Sequence, residues 1–571
     1  MNNLRKRFAF IGIGFALISC ITAYASETSR KREKVRQQPY EIKVKAWGPT
    51  QAQVDAAKAR VEKSPSLQAA LKGAKYRLMS LQYIETETNN PTRYRVIFYD
   101  YTNDRTLVAE SDFAATEPVS IRKEIQTESE AAHTPNVSGE EIFDAFEIVK
   151  KDKKLAEAAR SGKLQTYEAM PPVTILNGER LINIGIITEN SDEIVGVSFK
   201  NNRIVHYEDG APPTAKVEHD EFCGVDPALH FKVPNGTAGQ YELSYQHNGV
   251  RLWDMLIIRP SSSSGNPEER SGIEVREVKY KGKTVLKRGH VPVLNVSYTN
   301  DACGPFRDWQ YDEGAFDAPE EGAQDPAPGL RILATGKVAK TVLESGDDQG
   351  NFQGVAVYTQ DVGFGNELVM VTEMNAGWYR YIMEWRFAPD GTIRPRFGFG
   401  GVKDKCVCYA HHHHAFWRLD FDVVNPANKI FQIERGRKFL KPITNETKIA
   451  RNYATNRGFV IQNANGNEAY SITPNIGDGN ADVFAGGDFW LLRFKGSVFA
   501  PEEIDDPNTT VAANFAPWLD NESLVNQDVV VWYAGHFMHT EDGAHLLNPD
   551  RKGEVLTGSH VVGPDLRPIR W

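Results

Sequence analysis

Cysteine is scarce in this chain of 571 residues: there are five, with Cys20 in the N-terminal apolar stretch and Cys223, Cys303, Cys406 and Cys408 in the body. That excludes a disulfide-dense miniature scaffold and leaves the four body cysteines at most two bridges, in any of three connectivities. Cys406 and Cys408 make a poor pair with each other, because residues i and i+2 of an extended chain lie near the upper limit of disulfide reach. A Cys-x-Cys of this kind is alternatively a copper or zinc ligand pair.

Positive charge is also in short supply. The chain has 66 Lys and Arg against 75 Asp and Glu, a net charge of -9. Removing residues 1–25, which hold Arg5, Lys6 and Arg7 and no acid, brings it to -12. A chain of that sign is not built to hold a nucleic-acid backbone, although it suits cationic substrates. No apolar run reaches the roughly 20 residues of a membrane span. The apolar segment from Phe8 to Ile18, behind the basic Arg5-Lys6-Arg7, reads as an export signal. Ala23-Tyr24-Ala25 before Ser26 suits simple cleavage, whereas Leu17-Ile18-Ser19-Cys20 has the form of a lipobox that would leave a lipid on Cys20, the one route to a membrane partner. Both routes place the folded chain in the periplasm or outside the cell. A hydrophobic fraction of 41% and a charged fraction of 25% exclude disordered, collagenous and coiled-coil classes.

After a polar leader, 26–39, the pattern predicts an α+β fold that is predominantly β. In a first small unit, 40–130, a short strand from Glu41 precedes a helix capped by Thr50 and running to about Ala74, followed by strands at 76–84 and 93–101. In a second, 131–238, Ser138-Gly139-Glu140-Glu141 has capping-box spacing and opens a helix over 140–160. Strands follow at 181–188, 194–200 and 203–207, which repeats the helix-then-sheet plan. Beyond Gly239 helical periodicity largely disappears, and short β-rich runs between Gly, Pro and Asn turns predict a large antiparallel sandwich over 239–571. Pro260 to Gly265 reads as a flexible connector.

The densest run of potential metal ligands is Cys406 to Val423, with four consecutive histidines leading into a strand-like segment that carries Asp420 and Asp422. Alternation along a strand points His411 and His413 one way and His412 and His414 the other, so the first pair can share one metal ion. A solvated His-rich loop gives the same composition without a site. A third imidazole would complete a copper or zinc centre with an open position, and His536, His539 and His545 follow in a second histidine-rich segment.

His411-x-His413 followed by Arg418-Leu419-Asp420-x-Asp422 resembles the signature of the copper amine oxidases. The resemblance extends to Asp528-Val529-Val530-Val531-Trp532, which precedes His536 and Glu541-Asp542, although the interval from Trp532 to His536 is shorter than the family's. It implies copper on His411, His413 and His536. It also implies a second site for calcium or manganese, made by Asp420, Asp422 and Asp528 with the carbonyls of Phe421 and Val529. The family makes its organic cofactor, topaquinone, from a chain tyrosine, and Trp378-Tyr379-Arg380-Tyr381 ahead of Asp390-Gly391-Thr392 aligns Tyr379 with the precursor. Trp378 stands where the family has Asn, and Arg380 where it has an acid.

The family's base lies in an aromatic-Asp-x-Gly turn, matched by Tyr311-Asp312-Glu313-Gly314. Asp317, after Phe316, is the competitor. Asp312 is preferred because Val296-Ser297-Tyr298 lies at the family's interval upstream, which implies that Tyr298 hydrogen-bonds the precursor. The resemblance thus implies a homodimer that converts a primary amine and dioxygen to aldehyde, ammonia and hydrogen peroxide. An amine joined to a quinone carbonyl has an acidified α-proton that a carboxylate can remove. The departures at Trp378 and Arg380 leave a second reading, a copper-binding homologue in which Tyr379 stays unmodified.

Overall fold

A computed structural model describes residues 40–84, 92–116, 119–126, 134–188, 192–207, 223–228, 239–263, 270–298, 303–435, 439–495, 512–513, 515–539 and 561–571. The expected signal and leader, and with them Cys20, lie outside the described residues, as do His545 and Glu541-Asp542. Among the described residues no helix is long and apolar enough to cross a membrane.

Two small α+β units come first. In one, Thr50 caps a helix, Gln51–Glu62, through a capping box with Gln53, and a short second helix, Pro65–Ala70, follows. The single helix expected to Ala74 is interrupted because Ser64 is the cap of that second helix and Pro65, with no N–H, fits only at a helix start. These helices accompany a four-stranded sheet formed by Tyr76–Ile84, Arg93–Asp100, Arg105–Asp112 and Ser120–Gln126. In the other unit Ser138 and Glu141 form the expected box, and the helix Gly139–Lys151 buries Ile142, Ala145, Phe146 and Val149 against a second four-stranded sheet. That sheet begins with Gln165–Leu176, a strand the sequence pattern had not marked.

The remaining chain builds sheets of ten and eleven strands. Among the described residues every strand pair of these sheets is antiparallel except that of Leu330–Ile332 with Val355–Asp361. The first strand, Tyr40–Trp47, expected in the first small unit, instead joins the ten-stranded sheet by pairing with Gln240–His247. Of the expected connector Pro260 to Gly265, residues 264 and 265 lie outside the described residues; in the rest Ser261 and Ser263 are buried, and the Ser261 amide donates to Glu313 Oε1 at 3.1 Å.

Three neighbouring strands of the ten-stranded sheet carry the candidate site: Lys283–Tyr298, the histidine strand His411–Phe421, and Val529–His539. Across the shared core lies the tyrosine strand, Tyr379–Phe387, of the eleven-stranded sheet. Disulfides Cys223–Cys408 and Cys303–Cys406 tie distant segments to the turn just before the histidine strand. They take up both cysteines of the Cys-x-Cys, which excludes a metal role for it.

Candidate metal centre and tyrosine site

Apart from His412, whose side chain is 42% exposed, the histidine strand is buried, and its alternation is as expected. His411 and His413 share one face, ring centroids 5.0 Å apart, and His412 and His414 the other, 6.0 Å apart. The Nδ1 of His411 lies 2.6 Å from the Tyr409 carbonyl, which can only accept, so this nitrogen carries the proton and Nε2 the lone pair. His413 Nδ1 meets the Tyr381 hydroxyl at 2.9 Å, and that hydroxyl in turn donates to Asp308. His413 therefore also keeps its lone pair on Nε2. Both Nε2 atoms are buried without a hydrogen-bond partner. Burial, with His539 next, holds the His411 pKa down at about 3, and burial holds His413 well below the usual imidazole range. Neutral imidazoles with an inward lone pair, oriented by a carbonyl and a hydroxyl, are the donor set a copper or zinc ion takes.

The third histidine on this face is His539, not His536. The register sets His411 opposite His539 and His414 opposite His536. Residues directly opposite in an antiparallel pair share a face. The His411 and His539 rings lie 5.0 Å apart. His536 is turned to the far face, its Nδ1 3.0 Å from His414 Nδ1 and its Nε2 3.0 Å from Asp488. There His414 and His412 also meet Asp482, at 3.3 and 3.2 Å.

Tyr379 faces the three-histidine side. Its ring centroid lies 4.6 Å from His413 and 5.6 Å from His411, and it is fully buried. Its hydroxyl is hydrogen-bonded to that of Tyr298, as the resemblance implied. Burial raises both hydroxyl pKa values well above the usual range, so both are neutral phenols. The two unexpected neighbours have separate fates. The Trp378 indole N–H donates to the Tyr298 hydroxyl at 2.9 Å and so joins the tyrosine pair. Arg380, one residue on from Tyr379, points away and forms a buried two-pronged ion pair with Asp348, at 2.6 and 2.9 Å. Phe399 covers the His413 ring, centroids 3.9 Å apart.

Of the acids, Asp312 is mostly buried, and its backbone carbonyl accepts from the Asn375 amide at 2.7 Å. Asp317 is exposed and pairs through its backbone with Lys340. Burial chiefly raises the Tyr379 hydroxyl pKa, with smaller contributions from the charges of Asp308 and Asp404, neither of which was picked out in the sequence. Asp308 lies four residues before Asp312, in a segment with no motif of its own to mark it.

Asp420, Asp422 and Asp528 come together, with one oxygen of each within 4.8 Å of the others. Oδ1 of Asp420 and of Asp422 is buried without a hydrogen-bond partner. Burial, reinforced by Asp420, pushes Asp422 up to about 7. Phe421 and Val529 pair directly across the strands beside them. Arg418 reaches Asp420 at 3.4 Å, and the remaining hard oxygens of the cluster are of the kind that suits calcium or manganese.

No family model matches the sequence, and no curated protein matches it. Solved structures do. A copper-containing benzylamine oxidase from Hansenula polymorpha superposes with a TM-score of 0.57 at 14% identity, covering 90% of this chain and 96% of that one. The chain has the fold of the copper amine oxidases. An amine oxidase of Aspergillus nidulans gives a TM-score of 0.51 at 12% identity, over 92% of this chain and 88% of that one. The Pichia pastoris lysyl oxidase gives 0.52 at 12%, over 94% and 90%. The amine oxidase fold therefore spans the small units as well as the large sheets.

Proposed function

We propose that this protein is an exported copper amine oxidase that deaminates a small primary amine, using dioxygen and a topaquinone made from Tyr379. The observation that carries this reading is the placement of Tyr379 against His411 and His413 on the face they share with His539. These three histidines would hold copper, in place of the set with His536. Copper together with dioxygen would supply the oxidation that builds the cofactor, and the quinone an electrophilic carbonyl for the amine. Tyr298, held by the Trp378 N–H, fixes the Tyr379 oxygen. Asp308, fully buried and engaged by Tyr381, orients His413 through that hydroxyl. Asp312, the base the resemblance implies, would be the proton acceptor.

Asp420, Asp422 and Asp528 would hold calcium or manganese. The disulfides agree with an oxidising compartment, and a homodimer follows from the resemblance. One observation favours a second reading, a copper-holding protein with unmodified Tyr379: the bulky, fully buried Trp378 packs against that tyrosine, ring centroids 6.2 Å apart.

The test is to strip metal, restore copper under air, and assay peroxide and aldehyde over a panel of primary monoamines and diamines. Equal yields of both support the oxidase. A copper-loaded protein that releases neither from any amine overturns it.

A further inference from the structure

The face of the histidine strand turned away from Tyr379 carries a chain of imidazoles and carboxylates that the amine chemistry leaves unused. His412 and His414 share that face, and His536 stands directly opposite His414. Asp482 and Asp488 are supplied by the segment leading into the strand Phe489–Arg493.

The protons along this chain can be placed one after another. Asp488 is an ionised acceptor: it takes the backbone amides of Ala481 and Arg451 at 3.0 and 2.8 Å and lies 3.8 Å from the Arg451 guanidinium. His536 Nε2, 3.0 Å from that carboxylate, therefore carries a proton. Burial above all holds the His536 pKa down at about 4, so the ring is neutral and Nδ1 bears its lone pair. His414 Nδ1, 3.0 Å away, must then be the donor, which leaves the lone pair of His414 on Nε2.

That nitrogen is fully buried and has no hydrogen-bond partner. It faces a second electron-pair donor, Oδ2 of Asp482, at 3.3 Å. Asp482 is fixed in place, because its Oδ1 accepts from the amides of Phe484 and Ala485 at 2.8 and 3.0 Å. Two buried acceptors with no proton between them repel, and a cation shared by both removes the cost. The spacing suits one: two ligands about 2.0 Å from an ion, at the tetrahedral angle, stand about 3.3 Å apart. His412 Nδ1 lies 3.2 Å from the same Asp482 oxygen, and its partly exposed side chain is free to turn toward an ion arriving from solvent.

We propose that His414 Nε2 and Asp482, joined by His412, bind a second transition-metal cation of the zinc class, on the face opposite the proposed copper centre. Neutral imidazoles with one carboxylate are a common zinc donor set. Two fixed ligands, one movable ligand and water make a site that exchanges its ion with solvent and empties on dialysis, whereas three buried histidines retain theirs. The site does not depend on the conversion of Tyr379.

Zinc titration of the full chain tests this, after copper loading, dialysis and addition of calcium, with binding read by competition against a chromophoric chelator. One zinc should bind per chain. Asp482→Asn, at a partly exposed position, and His414→Gln should each weaken it by more than about tenfold, the loss of a ligand exceeding that of an outer partner. Their copper content should be unchanged. His206→Ala, which removes a surface histidine paired with Glu193, should bind zinc as the unaltered chain does. Cobalt in place of zinc should give visible bands that Asp482→Asn removes. A copper-loaded chain that takes up no zinc, or an Asp482→Asn variant that binds it normally, overturns the proposal.

Discussion

His539 stands directly across the strand pair from His411, imidazole centroids 5.0 Å apart, while His536, three residues earlier, is bonded to Asp488 on the opposite face. His539→Ala should therefore abolish stoichiometric copper binding, read by metal analysis after dialysis. His536→Ala should retain copper and instead lower stability by about 1 to 3 kcal/mol, because Asp488 loses a buried partner. Copper lost from the second variant and kept by the first would restore His536 as the ligand.

The two nearby carboxylates should separate by kinetics. Asp312→Asn should cut kcat by about a hundredfold or more, the usual worth of a positioned base, while leaving copper content unchanged. Asp308→Asn should act through Tyr381 and His413, and so should alter the copper spectrum as well as the rate. An Asp312→Asn enzyme of normal kcat would remove that residue from the mechanism.

Much of this site was legible in the sequence. Strand alternation alone separated His411 and His413 from their neighbours, while the resemblance supplied Tyr379 from its own strand context and Tyr298 from its interval to Asp312. His539 was not chosen because the resemblance supplied a local pattern, whereas facing depends on register between strands far apart in sequence. The short interval from Trp532 to His536 was the available sign, since His539 lies further from Trp532. Likewise the first strand was assigned to the unit beside it, because pairing with Gln240–His247 leaves no local trace. Asp308 owes its place to the fold that brings Tyr381 against it, which no periodicity encodes.

The Cys303–Cys406 bridge closes a separation of 103 residues and anchors the turn before His411. Replacing both cysteines with serine should destabilise the chain by about 2 to 4 kcal/mol, measured by denaturant unfolding. An unchanged midpoint would show that the bridge does not constrain the unfolded chain.

Glu373 gives a pH dependence away from the metal sites. Burial, reinforced by Asp348, pushes its carboxyl up to about 8. The folded state thus holds a proton that the unfolded chain releases near the ordinary glutamate value. Its contribution is complete below about 4.5 and is lost as pH rises to about 8, on the order of a few kcal/mol. Glu373→Gln should flatten this decline in melting temperature and be the more stable form at pH 8. Parallel melting curves for the two proteins would contradict it.

The central claim is that Tyr379 is converted into a quinone beside copper. Metal-free protein, given copper and air, should develop a visible quinone band, and phenylhydrazine should then form a coloured adduct on the peptide holding residue 379. Tyr379→Phe should bind copper yet give neither signal. A native chain with copper fully bound, no band and no adduct would contradict the account and leave a metal-holding protein with an unmodified tyrosine.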